Sequence, residues 1–88
     1  MQAILNSENS WSDIEKVPAG KFSFSIWGTF SAIITVQRTH DNGTTWKDVE
    51  TFRTPNELLG TEPEGCLYRA GIKTGDYISG TAYIRMAI

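Results

Sequence analysis

Cysteine is nearly missing from this 88-residue chain: Cys66 is the only one. That excludes an internal disulfide and any cysteine-built metal cluster. Histidine is as scarce. His40 stands alone, with no second His and no Cys or Ser at the spacing of a catalytic triad or a zinc site. No apolar run exceeds three residues, as in Ala32-Ile33-Ile34, so nothing is long enough to span a membrane. The opening Met1-Gln2-Ala3-Ile4-Leu5-Asn6 lacks both the basic and the long apolar segment of a signal peptide. The expectation is therefore a protein made in the cytoplasm. A surplus of positive charge is absent too. Eight Lys and Arg stand against ten Asp and Glu, for a net charge of −2, which argues against nucleic acid as the main ligand. No phosphate-cradling loop, nucleophile elbow or cofactor fingerprint occurs. The expected protein is not an enzyme, and no cofactor or metal is expected.

What remains is the composition of one folded domain, 40% hydrophobic and 20% charged. A chain of this mass removes only roughly 60–65% of its unfolded surface on folding, so the core is thin and contact with copies or partners would reinforce it. Apolar residues alternate with polar ones, and eight glycines and three prolines punctuate the chain at short intervals. That pattern predicts an all-β fold, a small antiparallel sandwich or barrel of six to seven short strands. Residues 1–10 read as a polar arm and 11–88 as the sandwich. Phe22, Phe24 and Ile26 share one face of a strand, which leaves Trp27 on the other with the serines. Segments 33–38 and 46–52 form a hairpin. Segment 54–64 reads as a loop with a brief strand at Leu58-Leu59, and strands follow over 67–72 and 81–86.

The hairpin turn reads Thr39-His40-Asp41-Asn42-Gly43-Thr44-Thr45-Trp46. An Asp at a tight turn accepts bonds from backbone amides further along it. Gly43 takes the positive φ such turns require, and Trp46 returns beneath the turn and shields it. The spacing of Thr39, Asp41, Gly43, Thr45 and Trp46 resembles the Asp-box hairpin of sialidases and related β-proteins. That resemblance implies a braced turn, not an active site. Glu57, Glu62, Glu64 and Asp76 are the only acidic concentration. Two carboxylates across a cleft can hydrolyse glycosides, but these lie in loop-like segments of a chain too short for a deep cleft. They are expected as solvated charge, with a weak calcium site or a partner contact as the lesser reading. Cys66 is expected to open a strand as a small hydrophobe. Three tryptophans are hard for so small a sandwich to bury, which makes Trp27, Tyr77 and Trp11 candidate interface aromatics.

Much of the chain, from about residue 17 onward, resembles small proteins encoded among the structural genes of tailed bacteriophages. The likeness runs through Phe30 to Arg38, the turn after it, Val49-Glu50-Thr51-Phe52, the loop Thr61-Glu62-Pro63-Glu64-Gly65, and the closing segments 68–77 and 79–85. It implies a virion setting. The leading expectation is a capsid decoration protein bound to the major capsid protein or to other virion proteins, with a trimer among the homo-oligomers considered. A tail, collar or fibre accessory and a carbohydrate-binding module are the alternatives. Edge strands and the N-terminal arm are the expected attachment elements.

Overall fold

The computed structural model covers Met1–Ile88. It contains no helix and nine strands: β1 (Gln2–Leu5), β2 (Ser10–Trp11), β3 (Glu15–Val17), β4 (Gly20–Ala32), β5 (Ile34–Thr39), β6 (Lys47–Phe52), β7 (Asn56–Glu62), β8 (Cys66–Ile72) and β9 (Tyr77–Ala87). They form two antiparallel sheets, one ordered β1-β9-β4-β7 and the other β2-β8-β5-β6, with β3 also paired to β8. The expected all-β sandwich is the fold observed.

Alternation explains the core. Phe22, Phe24 and Ile26 of β4 face inward with Ala82, Ile84 and Met86 of β9, against Ile34 and Val36 of β5 and Cys66, Tyr68, Ala70 and Ile72 of β8. Cys66 opens β8 as a buried small residue. Aromatic rings tie the layers together: Phe22 lies 5.4 Å from Tyr68, and Phe24 stacks on Phe52 at 5.9 Å between centroids. Such pairs add to simple area burial.

Two expectations are corrected. Residues 1–10 are not a polar arm. Gln2–Leu5 pairs with Ala82–Arg85 of β9, Leu5 is buried in the core, and the N-terminal ammonium donates to the Met86 carbonyl at 2.9 Å. One inward leucine and an open sheet edge are enough to dock this short segment. The segment after Thr54 is not a loop with a brief strand either. Asn56–Glu62 forms a full seven-residue ladder with Gly20–Ile26. Gly60 and the charged ends hide this strand from a reading by propensity, while the long partner β4 supplies its backbone bonds.

The gap between β2 and β3 is bridged by Ser12, whose backbone N–H donates to the Ala70 carbonyl at 2.8 Å while its hydroxyl accepts the Ala70 N–H at 3.0 Å. The ladder along β8 thus continues where the strand itself breaks.

Candidate functional site

The hairpin turn is built almost wholly by Thr39 and Asp41. The Thr39 hydroxyl donates to Asp41 Oδ1 at 2.7 Å and accepts the Gly43 N–H at 3.1 Å, and the same carboxylate oxygen accepts the Thr45 N–H at 2.7 Å. Those bonds, from Thr39 first and then Thr45, hold the Asp41 carboxyl down at about 2. Asn42 and Gly43 both take positive φ, 61° and 94°. Trp46 does not sit fully beneath this turn. It is half-buried, with its ring over the Arg69 guanidinium at 4.3 Å, while Trp11 covers the same guanidinium at 4.2 Å. Arg69 Nε donates to Gln37 Oε1 at 2.9 Å, Gln37 Nε2 donates to Asp48 Oδ1 at 2.8 Å, and Lys73 pairs with Asp48. This stack tiles the outer face of the five-stranded sheet. Trp11 packs so closely on Gly71 that a Cβ there would strike both its ring and the Ser10 carbonyl.

Glu62, expected as solvated loop charge, is buried instead. Its carboxylate accepts bonds from Arg38 Nη2 and the Tyr68 hydroxyl, each at 2.7 Å, and from the Glu64 and Gly65 N–H groups at 3.0 and 3.1 Å. Burial alone would raise this carboxyl, but the four donors more than reverse that and hold it at about 2. Burial and the bond to Glu62 push the Tyr68 hydroxyl up to about 12. The cluster pins the end of β7 to the opposite sheet.

His40 also has neighbours that the sequence did not place beside it. Glu64 Oε1 lies 3.1 Å from Nδ1, and Cys66 Sγ lies 4.0 Å from that same nitrogen. A nucleophilic triad needs the nucleophile and the orienting carboxylate on opposite nitrogens of the histidine base. Here both address one nitrogen, and the thiol donates to the Thr39 carbonyl at 2.7 Å. The arrangement cross-links the sandwich end but lacks the geometry of a nucleophile and base.

The outer face of the four-stranded sheet is different in character. Register places Ile4 opposite Tyr83 and Tyr83 opposite Trp27, in one row across β1, β9 and β4. Ile4 is 63% exposed, Trp27 46% and Tyr83 37%. The two rings stack with centroids 5.9 Å apart and planes 16° from parallel. The next row carries Gln2, Arg85, Ser25 and Glu57, with the Ser25 hydroxyl donating to Glu57 at 3.2 Å. Nothing in the fold covers this apolar row. Of the three candidate interface aromatics, Trp27 lies here. Trp11 belongs to the arginine stack, and Tyr77 is half-buried, packed against the core with its hydroxyl on the Gly80 carbonyl at 2.9 Å. Tyr83 was legible as outward-facing, because it alternates with Ala82, Ile84 and Met86. Ile4 was not, because its role depends on β1 joining the sheet. Compared with protein-family models, with curated proteins and with solved structures, the chain has no significant match.

Proposed function

We propose that this protein is a non-catalytic virion structural protein of a tailed bacteriophage that decorates the capsid by docking on the major capsid protein. The docking element is the exposed row Ile4–Tyr83–Trp27. That row is the observation that carries the reading: a large apolar and aromatic surface, held rigidly by three paired strands and rimmed by polar groups, is the usual anatomy of a protein interface. Tryptophan and tyrosine are the commonest anchors of such interfaces. The partner class rests on the resemblance read in the sequence of residues 17–88 alone. The stacked rings shield one another's facing sides, which suits an apolar protein contact better than an open platform for sugar rings.

The test is the copy number of the protein in purified particles, together with rebinding to particles stripped of it. A ratio to the major capsid protein near one, or a simple fraction of it, is expected. Trp27→Ala combined with Tyr83→Ala should abolish rebinding while leaving the fold intact by circular dichroism. A copy number like that of a portal or tail ring would move the protein to the tail. Absence from particles would sink the reading.

A further inference from the structure

The four-stranded sheet ends on β7, whose one ladder neighbour is β4. A free strand edge presents unpaired N–H and C=O groups, and stable proteins blunt such edges with charge, bulges, proline or brevity. The other edges of this molecule are blunted. β6 carries Lys47, Asp48 and Glu50, and its ladder slips between Val36 and Gln37. The edge beyond β8 is split into the two-residue β2 and the three-residue β3. β1 has four residues, next to a charged terminus. β7 lacks the bulge and the brevity: its two charges stand away from its centre, Glu57 on Ser25 and Glu62 turned inward onto Arg38 and Tyr68. It runs seven residues, Asn-Glu-Leu-Leu-Gly-Thr-Glu, with Pro55 and Pro63 just outside it and no bulge in its ladder. At its centre stands Leu59, 82% exposed, the most exposed large hydrophobic residue of the chain.

We infer that β7 is a self-association edge, pairing antiparallel with β7 of a second copy about a two-fold axis through Leu59. The occupant is a second copy because the strand is complementary to itself. Centred on residue 59, the register sets Leu59 against Leu59, Leu58 against Gly60, Glu57 against Thr61, and Asn56 against Glu62. No like charges face each other, and the one self-facing residue is the exposed leucine. The backbone is compatible by symmetry, because a residue opposite its own copy has its N–H and C=O turned the same way in both strands. Opposed side chains in such pairs lie within contact distance. The pairing therefore buries two leucines that the single chain leaves in water.

The axis stands perpendicular to the sheet, so both copies turn the same face to the same side. The product is a continuous eight-stranded sheet that presents two Ile4–Tyr83–Trp27 rows in one direction. Whatever that face binds is then bound bivalently, and weak single contacts gain from effective concentration. The pairing itself stands whether or not the partner is a capsid.

The experiment is sedimentation equilibrium of the full chain from micromolar to millimolar concentration, with three variants. An edge of this length buries less than a tight dimer does, so a reversible dimer is expected within that range. Leu59→Lys and Leu59→Glu should each weaken the dimer about tenfold or more, from lost leucine burial and like charges at the axis. An equimolar mixture of the two should restore dimerisation as a heterodimer, which happens only if residue 59 faces residue 59. Trp27→Ala should leave the dimer unchanged. A wild-type chain that stays monomeric to millimolar overturns the inference. So does a mixture no more associated than its parts, or a dimer lost with Trp27→Ala and kept with Leu59→Lys. Failure here leaves particle binding by the aromatic row untouched, and failure of particle binding leaves the edge dimer untouched.

Discussion

Glu62→Gln is the substitution whose cost follows most directly from the structure. The change keeps the shape of the side chain but removes the charge that four donors address: Arg38, Tyr68 and two backbone N–H groups. An amide offers one acceptor oxygen, so its own NH2 must face one or more of these donors. Arg38 loses its buried counter-ion, and its Nε is already buried without a partner. Breaking a buried pair typically costs about 3–5 kcal/mol. The Arg38 side chain is 23% exposed and can regain water, which favours the lower end. A carboxyl held at about 2 instead of its ordinary 4.5 is itself worth on the order of 3 kcal/mol near neutrality. The two routes agree on about 3 kcal/mol, which for a domain of this size is a fall in Tm of roughly 10–25 °C. The pH dependence fixes the cause. A depressed carboxyl contributes stability that is fully present above its unfolded value and is lost as the pH falls toward the folded one. Urea denaturation of both proteins at pH 7 and at steps down to pH 2 should show the full gap at neutrality. The gap should close between about pH 4.5 and about 2. A gap under about 1 kcal/mol at pH 7 would show that Glu62 and its donors do not behave as a buried pair. So would a gap that does not change with pH.

Trp46→Ala would cost about 3–5 kcal/mol were the ring fully buried. Half-buried and resting on Arg69, it should cost about 1–2 kcal/mol, read from the urea midpoint. Gly43→Val places a β-branched residue at φ 94° and should destabilise by about 1–3 kcal/mol; an unchanged midpoint would show the turn can be rebuilt. Gly71→Ala puts a methyl group into the Ser10 carbonyl and the Trp11 ring. It should detach β2 from β8, seen as a red shift of tryptophan emission and faster amide exchange at Ser10 and Trp11, with the core strands still protected.

Period-two alternation was enough to assign the fold class, the inward face of β4 and the outward position of Trp27, because side-chain direction in a strand is a local property. The turn at Thr39–Trp46 was legible for the same reason: its bonds join residues at most four apart. Local pattern could not show which strands become neighbours. Leu5 is buried and β1 exists because β9 lies beside it, and β7 is a strand because β4 extends far enough to pair with it. Glu62 looked like loop charge until the two sheets brought Arg38, 24 residues away, against it. The row Ile4–Tyr83–Trp27 joins the two ends of the chain to its first third through register alone. Strand direction and alternation were written in the residues themselves. Partners, register and the fate of each buried charge were decided by tertiary structure, because those depend on contacts between residues far apart in the chain.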